Sequence, residues 1–247
     1  MKKCNGAIAL LLAGGKGIRI QSKRPKQFIE MEGESILLHT MKAFERHPLV
    51  SDIYVVCNPE WDGYVRRQAN VGHVVKFVRT LPSGNTSYQS FVNGIQGLQD
   101  AGIGSEDLIL VHEGVRPFIS HEIITNNILT CQRMGNAITA IYSHESYLQV
   151  AEKSVPQTNA IEAKPGYIPR ETLMRAQTPL TFHMKGLTEI VQRAKERGIE
   201  ESQSLFTLVN EIGWQPLHVV EGNWLNFKIT LPQDVEVYSR LRTMNFD

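Results

Sequence analysis

The sequence predicts an α/β protein in which helices cover both faces of a mostly parallel sheet. One observation is the opening apolar run Ile8–Leu12, which is closed by glycines and is typical of a strand buried on both faces. Another is that short apolar runs alternate along the chain with segments of helical periodicity. This alternation favours parallel strands joined by helical crossovers. Such sheets bind ligands beyond the carboxyl ends of their strands.

The predicted strands are short apolar runs bounded by polar or glycine-containing segments. In order they are Ile8–Leu12, Asp52–Cys57, Val74–Val78, Asp107–His112, Asn136–Tyr142 and Leu217–Glu221. Glycines follow the first strand, and a charged segment follows His112 at the end of the fourth. Both segments therefore lie at the edge of the sheet where a ligand is expected.

The predicted helices place apolar residues three or four positions apart, so that one face can pack on the sheet. Leu37, Met41 and Phe44 have this spacing in the first helix, and Phe91 and Ile95 have it in the third. In order the predicted helices are Ile36–Arg46, Trp61–Ala69, Ser87–Leu98, His121–Met134, Leu187–Arg197, Ser204–Ile212 and Gln233–Arg242.

Residues 143–170 interrupt the alternation of strands and helices. The segment is polar, contains Pro156 and Pro165, and has only short apolar pieces at Tyr147–Val150 and Ala160–Ile161. It is too long for an ordinary loop within a domain. Two interpretations stay open: a flexible surface insertion, or a two-stranded β-arm that reaches out and pairs with a second subunit.

The loop after the first strand predicts a binding site for nucleotide phosphates. Gly14, Gly15 and Gly17 allow the backbone to approach a ligand and turn its N–H groups toward it. Two cations, Arg19 and Lys26, follow in the chain. Exposed N–H groups combined with Arg and Lys are suited to polyphosphate.

The same loop departs from two common nucleotide motifs. A Walker A loop needs Ser or Thr after its lysine, whereas Gly17 follows Lys16. The dinucleotide fingerprint needs a third glycine where Ile20 stands, which argues against a dinucleotide-dependent oxidoreductase. A plain glycine-rich turn between a strand and a helix is the alternative. The run Pro25–Gln27, with its second cation, favours phosphate binding.

Composition limits the classes of function that fit the chain. With 247 residues, 42% of them apolar and 21% charged, it can bury a sizeable core as a globular protein. A net charge of +1 argues against a broad nucleic-acid interface. Cys4, Cys57 and Cys131 are scattered, so neither a zinc site nor a disulfide framework is predicted. Without a signal peptide or a membrane-spanning run, we expect a cytoplasmic protein.

Four segments occur in the order of one enzyme family. They are Leu12–Arg19 with Pro25–Phe28; Ser90–Ile95 preceded by Gly84; Val111–Phe118; and Arg170 with Ala176–Pro179 and Asn226–Pro232. Together they resemble the CTP-dependent cytidylyltransferases that act on 2-C-methyl-D-erythritol 4-phosphate or ribitol 5-phosphate. The resemblance covers nearly the whole chain. It implies a Rossmann-like fold of the nucleotide-diphospho-sugar transferase type, a single domain over residues 1–247, and a dimerising β-arm at 143–170.

The resemblance implies how CTP is held. In the family, cations matching Arg19 and Lys26 hold the triphosphate and stabilise the pentacoordinate phosphorus. Glu113, where the family usually has Asp, is expected to hold a Mg²⁺ cofactor against the phosphates. His112 is expected to be structural, and Arg116 is expected to pair with a carboxylate. The nucleotide-binding positions carried over from the family are Ala13, Gly14, Gly15, Lys16, Gly17, Gly84, Asn85, Ser90 and Gly114.

The same resemblance assigns the acceptor phosphate to Arg170, Thr178 and Lys228. Arg170 and Lys228 join the two nucleotide-binding cations as expected catalytic residues. In the family the Arg and the Thr come from the neighbouring subunit, so that the site is built across a homodimer. Ser87 and Gln203 depart from the pattern, because the family commonly has Arg at the first position and a phosphate-binding Thr at the second.

The glycine loop and Val115–Phe118 favour the ribitol 5-phosphate branch of the family. The expected reaction transfers CMP from CTP to the polyol phosphate and gives a CDP-alditol and pyrophosphate. The 2-C-methyl-D-erythritol 4-phosphate enzyme of isoprenoid biosynthesis is the alternative. A degenerate member that binds nucleotide without turnover also stays open, because Glu113, Ser87 and Gln203 depart from the family pattern. Expected partners are CTP, a polyol phosphate and a second copy of the chain, without nucleic acid or membrane.

Overall fold

A central sheet flanked by helices runs through the computed structural model, which describes residues 6–15, 24–150 and 164–244. The strands are β1 (Ala7–Leu12), β2 (Glu30–Met31), β3 (Glu34–Ser35), β4 (Val50–Cys57), β5 (Phe77–Pro82), β6 (Leu108–Glu113), β7 (Asn136–Tyr142), β8 (Met174–His183) and β9 (Val219–Glu221). The helices are α1 (Ile36–Glu45), α2 (Asp62–Val71), α3 (Ser87–Asp100), α4 (His121–Met134), α5 (Met184–Glu196), α6 (Leu205–Glu211) and α7 (Pro232–Leu241).

Seven strands of the described residues form one sheet in the order β5-β4-β1-β6-β8-β7-β9. Parallel pairs join β1 to β4 and β6, β4 to β5, and β7 to β9. β8 is antiparallel to both of its neighbours, β6 and β7. The prediction of a mostly parallel sheet is confirmed. The short strands β2 and β3 form a separate antiparallel pair.

Helices cover both faces of the sheet, because side chains along each strand alternate between the two faces. On β1, Ala9 and Leu11 pack into a core with α1, α2 and α4, whereas Ile8 and Leu10 pack with α3, α5 and α6. Burial of each such Leu or Ile side chain contributes about 1.5–3 kcal/mol. Among the described residues, none of the helices has both the length and the apolar character needed to cross a bilayer.

The carboxyl ends of β1 and β6 lie side by side. Leu12 at the end of β1 is paired in register with Glu113 at the end of β6. The N–H of Gly114 donates to the carbonyl oxygen of Leu12 at 2.9 Å, and the N–H of Ala13 donates to that of Val56 at 2.8 Å. These contacts bring the glycine loop next to the charged segment after β6, as the strand order predicts.

Two details of the sheet differ from the sequence prediction. The third strand is β5, three residues later than Val74–Val78. Val74 instead packs in the turn after α2, where its N–H donates to the carbonyl of Ala69 at 2.9 Å. The apolar pattern also does not predict β8, because the polar Gln177 and Thr178 and the following Pro179 interrupt it. Both polar residues line a cavity, which explains why the strand lacks a continuous apolar run.

The predicted β-arm is described at its two ends, residues 143–150 and 164–170. The N–H of Lys164 donates to the carbonyl of Gln149 at 2.6 Å, and the N–H of Ser143 donates to that of Leu173 at 3.2 Å. The two ends of the segment therefore run next to each other at these points. Its centre, residues 151–163, lies outside the described part of the chain.

Candidate active site

A cavity of about 620 Å³ opens at the carboxyl ends of β1 and β6, and its size is typical of small-molecule sites. Its walls come from the glycine loop, the turn before α3, the end of β6, the middle of β8 and the loops before α6 and α7. Ten of the predicted site residues line it: Ala13, Gly14, Gly15, Lys26, Gly84, Asn85, Ser90, Glu113, Thr178 and Lys228.

The glycine loop packs tightly against the turn before α3. A Cβ atom on Gly14 would lie 2.5 Å from Cβ of Ser83 and 3.1 Å from Oγ of Ser90. Because real Cβ atoms do not approach so closely, only glycine fits at this position. The close contact brings the phosphate-binding candidate and the base-recognition candidate into one wall of the cavity.

The short helical turn Lys26–Phe28 holds the loop from the other side. Lys26 is only 9% exposed, and its ammonium donates to the carbonyl oxygen of Ile229 at 2.9 Å. The next side chain, Gln27, donates to the carbonyl oxygens of Ala13 at 2.6 Å and Gly15 at 2.9 Å. Lys26 and Gln27, which belong to the motif Pro25–Gln27, therefore contact the segment before α7 and the glycine loop, respectively.

Gly84, Asn85 and Ser90 form a closed turn at the start of α3. The N–H of Gly84 donates to Oγ of Ser90 at 3.1 Å, and the N–H of Asn85 donates to Oε1 of Gln89 at 3.0 Å. Thr86 caps the helix by accepting from the N–H of Gln89 at 3.1 Å. The turn is fixed by its own side chains, so it can present backbone groups to a flat ligand.

Glu113 is the acidic side chain among the described residues that line the cavity, and it is held by two cations. Arg116 donates from Nε to one carboxylate oxygen at 2.6 Å, which confirms the predicted pairing of Arg116 with a carboxylate, and Lys228 pairs with the other oxygen. Burial opposes ionisation of Glu113, but Arg116 and Lys228 outweigh it and lower its pKa to about 2. Glu113 is therefore charged at neutral pH.

His112 and Thr178 join the ends of β6 and β8. Nε2 of His112 lies 3.1 Å from the carbonyl oxygen of Arg116, and Nδ1 lies 2.9 Å from Oγ1 of Thr178. A carbonyl can only accept, so Nε2 carries the proton and Nδ1 accepts from the Thr178 hydroxyl. Burial lowers the pKa of His112 to about 4, which keeps the ring neutral at pH 7. The N–H of Glu113 donates to the same hydroxyl at 3.2 Å.

The resemblance implied that Thr178 reaches a neighbouring subunit's site, and that role stays a prediction. In its own chain Thr178 lines the cavity and bonds to His112. The physical reason is that β8 lies in the sheet directly beside β6, so the middle of β8 faces the end of its own β6.

The side chains that the structure describes at this site cannot hold a magnesium ion by themselves, so phosphate oxygens of a bound nucleotide would have to complete its coordination. The described residues contain no group of three or more His, Cys, Asp or Glu side chains arranged to hold a metal ion. One carboxylate with phosphate oxygens and water is a usual arrangement for Mg²⁺, and Glu113 offers that carboxylate. Lys228 occupies one of its oxygens, so an ion at that oxygen would have to take the place of the ammonium.

The structure does not bring all predicted residues to the cavity. Arg170 lies in a helical turn at the arm, half-exposed, with Nε 3.7 Å from an oxygen of Glu171. Gly114 supports the end of β6 without lining the cavity, since a Cβ there would lie 2.9 Å from Cδ1 of Leu37. Lys16, Gly17 and Arg19 lie outside the described residues.

Sequence reasoning missed two glutamines in the walls. Gln27 stands beside Lys26 in the Pro25–Phe28 run, and this position in the motif could have predicted it as a site residue. Gln177, which is 2% exposed, donates to the carbonyl of Asn223 at 2.8 Å and stands beside Thr178 in the fourth segment. Gln203, singled out as a departure from the family, does line the cavity.

Comparisons with known proteins give similarity over most of the chain. The family model "IspD: 2-C-methyl-D-erythritol 4-phosphate cytidylyltransferase" matches residues 7–240. The ribitol-5-phosphate cytidylyltransferase of Lacticaseibacillus paracasei is 29% identical over 238 residues, which cover 93% of this chain and 95% of that protein. The 2-C-methyl-D-erythritol 4-phosphate cytidylyltransferase of Geobacter metallireducens is 32% identical over 231 residues, covering 92% of this chain and 93% of that protein.

The fold is also similar to that of solved structures. The crystal structure of 2-C-methyl-D-erythritol 4-phosphate cytidylyltransferase from Thermus thermophilus superposes with a TM-score of 0.73 at 25% identity. The match covers 97% of this chain and 100% of that chain.

Proposed function

Because the chain belongs to the 2-C-methyl-D-erythritol 4-phosphate cytidylyltransferase family, we propose that it transfers CMP from CTP to ribitol 5-phosphate. The chain is a cytidylyltransferase, and its relatives act on polyol phosphates. The proposed products are a CDP-alditol and pyrophosphate.

The convergence of two lysines, a glycine loop and a closed turn on one cavity carries this function. Lys26 donates to the carbonyl of Ile229, the residue that follows Lys228, so both lysines meet the same segment. Polyphosphate needs positive charge and backbone donors, which the lysines and Gly14–Gly15 supply. The turn at Gly84 is assigned to the cytosine, whose small edge backbone groups can recognise.

In the proposed reaction an oxygen of the acceptor phosphate attacks the α-phosphorus of CTP. The bond between the α-phosphorus and the bridging oxygen breaks, and pyrophosphate leaves with the electron pair. Negative charge gathers around a crowded phosphorus, so fixed cations stabilise the transition state more than the ground state. We assign this role to Lys26 and Arg19, and we assign the acceptor phosphate to Lys228 and Arg170, with Thr178 in the adjoining wall.

Magnesium is part of the same proposal. Glu113 would hold the ion together with phosphate oxygens of the nucleotide, which fits the single carboxylate in the described walls. The ion would supply further neutralisation of phosphate charge. Arg116 would keep the carboxylate oriented, since it donates to Glu113 and also to the carbonyl of Asn226 at 2.7 Å.

Two acceptors compete in this proposal. Ribitol 5-phosphate is favoured by relatives such as that of Lacticaseibacillus paracasei, at 29% identity. 2-C-Methyl-D-erythritol 4-phosphate is the second candidate, favoured by the Geobacter metallireducens relative at 32% identity. Gln203 lines the cavity where the family has a phosphate-binding Thr, so the acceptor end of this cavity differs from the family pattern.

A homodimer completes the proposed site. Arg170 lies away from the cavity of its own chain, at the base of the arm. The described ends of the arm expose large apolar side chains, including Tyr147, Leu148 and Tyr167 at 46%, 67% and 79%. Exposed apolar surface of this kind marks protein interfaces. We assign it to a second copy of the chain, which would receive Arg170 at its acceptor site.

Pyrophosphate release from CTP tests the function. Ribitol 5-phosphate, 2-C-methyl-D-erythritol 4-phosphate and glycerol 3-phosphate are assayed side by side with Mg²⁺. We expect the highest kcat/KM with ribitol 5-phosphate. A preference for 2-C-methyl-D-erythritol 4-phosphate would establish the second candidate. CTP binding without turnover of any acceptor would instead identify a degenerate nucleotide-binding member.

A further inference from the structure

The side-chain amide of Gln27 bridges the two ends of the Ala13–Gly15 arc. It donates to the carbonyl oxygen of Ala13 at 2.6 Å and to that of Gly15 at 2.9 Å. Gln27 is only 3% exposed, so both bonds are largely shielded from water. A side-chain amide has two N–H donors, and this geometry uses both on the backbone of one loop.

This bridge acts on a loop whose glycines have little intrinsic conformational restraint. Glycine residues reach many backbone conformations, so Gly14 and Gly15 lose much entropy when the loop becomes ordered. Within a peptide unit the N–H points opposite to the carbonyl, so fixing the Ala13 carbonyl also fixes the direction of the Gly14 N–H. Among the described residues, that N–H donates to no backbone carbonyl, which leaves it available to a ligand.

The bridge also controls charge at the cavity. Carbonyl oxygens are the negative ends of peptide dipoles and would repel a phosphate that approached them. Gln27 holds the Ala13 and Gly15 oxygens in hydrogen bonds, which leaves N–H groups of the loop for an anion. Gln27 itself is among the residues that line the cavity, so the bridge lies beside the space that a ligand would occupy.

Gln27 is held rigidly by its neighbours in the chain. On one side, Lys26 is anchored to the carbonyl of Ile229 at 2.9 Å. On the other, Phe28 is fully buried and stacks on Trp61 with ring centroids 4.5 Å apart. A side chain fixed at both neighbours can impose a conformation on a glycine-rich loop, because it loses little entropy in doing so.

We propose that Gln27 is a positioning residue that sets the glycine loop, before the nucleotide arrives, in the conformation that binds the phosphates of CTP. This inference rests on the proposed function, since it assigns CTP to the loop. Gln27 touches the loop and acts on the ligand through it. Its loss should therefore weaken CTP binding while the site for the acceptor phosphate stays intact.

Three variants separate the roles of length, donor and charge. Gln27→Met keeps the approximate length and removes the donor; we expect Kd for CTP to rise at least tenfold by calorimetry. Gln27→Glu keeps the shape of the side chain but places a carboxylate, which can only accept, against two carbonyl oxygens. Its affinity for CTP should therefore fall further than that of Gln27→Met. Gln27→Asn keeps the amide one methylene shorter and should restore part of the affinity. KM for the acceptor should change less than twofold in all three.

Gln68 provides a matched control. Its side chain also bridges backbone groups, accepting from the N–H of Ser35 at 2.9 Å and donating to the carbonyl of Gly33 at 3.1 Å, away from the cavity. Gln68→Met should lower the melting temperature without changing Kd for CTP. A Gln27→Met protein that is folded and binds CTP within twofold of wild type would overturn the inference. Wild-type protein that fails to bind CTP would instead overturn the proposed function.

Amide exchange in the wild-type protein tests the Gln27 bridge even if the substituted proteins do not fold. In NMR spectra of the wild-type protein, the side-chain amide protons of Gln27 should exchange with water at least tenfold more slowly than those of the exposed Gln192. Equal exchange rates would show that the bridge is absent in solution and would overturn the inference.

Discussion

The hydroxyl of Thr178 donates to Nδ1 of His112 at 2.9 Å, so a buried neutral imidazole links the middle of β8 to the end of β6. The same hydroxyl accepts from the N–H of Glu113 at 3.2 Å. Two neighbouring strands of opposite direction are thereby fixed at the residue that carries the cavity's carboxylate. The arrangement requires His112 to be unprotonated at Nδ1, which gives it a defined pH dependence.

Stability should fall as the pH is lowered through the window of His112. Its pKa is lowered from 6.5 to about 4 in the folded state, so the unfolded chain binds the extra proton between these values. The contribution of His112 to the free energy of unfolding should therefore decrease by on the order of 3 kcal/mol as the pH falls from 6.5 to below 4. Urea denaturation at several pH values measures this.

His112→Gln should reduce that dependence between pH 6.5 and 4, while His39 and His47, whose pKa values burial also lowers, keep their share of it. The exposed His144→Gln serves as the control. Glu113 acts in a separate window, because its pKa is lowered from 4.5 to about 2 and its contribution is lost only as the pH falls through that range. An unchanged slope in His112→Gln would contradict the assignment to His112.

Lys26→Ala should reduce turnover far more than CTP binding. The buried Lys26 lines the cavity, with its ammonium on the Ile229 carbonyl, and removal of one group that stabilises transition-state charge costs about 3–4 kcal/mol, or 10²–10³-fold in kcat. Steady-state kinetics and CTP calorimetry measure the two effects. Lys76→Ala is the control, because Lys76 also donates to a backbone carbonyl, that of His47 at 2.7 Å, but lies away from the cavity. Near-normal turnover in Lys26→Ala would remove Lys26 from the reaction.

Glu113→Gln should raise the Mg²⁺ concentration needed for half-maximal activity. A neutral amide is a poorer ligand for a hard cation than a carboxylate. The substitution also leaves Lys228 and Arg116 without their counter-ion, so the protein's folding is checked by circular dichroism. Glu113→Asp, which restores the side-chain length usual in the family, should retain activity. The metal role is refuted if Glu113→Gln has the same Mg²⁺ dependence as wild type.

Mixing Arg170→Ala with Lys228→Ala protein should restore part of the activity. If Arg170 serves the partner's site, random reassortment makes half of the dimers mixed, each with one intact site. The expected activity is up to about a quarter of wild type. Arg175→Ala serves as the control for Arg170→Ala, because Arg175 is an exposed arginine on β8. The Arg175→Ala protein should be active without mixing. Absence of rescue after subunit exchange, or a monomer by light scattering, would show that each site belongs to one chain.

The features that sequence predicts here are those carried by local patterns. The helix α4 begins and ends at the predicted residues, because Ser120 caps it and Gly135 adopts the left-handed conformation that ends it. β8 escaped prediction because its cavity-facing residues are polar. The contact between Lys26 and Ile229 joins residues 203 positions apart in the sequence. The periodicity of apolar residues predicts local structure and gives no information on contacts at such a separation. The Gln27 bridge is shorter in sequence but depends on one side-chain rotamer, which composition and spacing do not determine.

The ten residues of β8 run from the base of the arm into the cavity wall, and their pairing with β7 shifts in register after Ile138. Met174 pairs with Tyr142 where the arm begins, and Gln177 and Thr178 follow within four residues. At about 3.3 Å per residue, this separation is only some 13 Å of extended backbone. A graft that exchanged the arm with that of a relative would therefore also set the angle of the cavity wall. If the arm joins a second copy as proposed, a change in assembly reaches the proposed acceptor wall through the few residues between Met174 and Thr178.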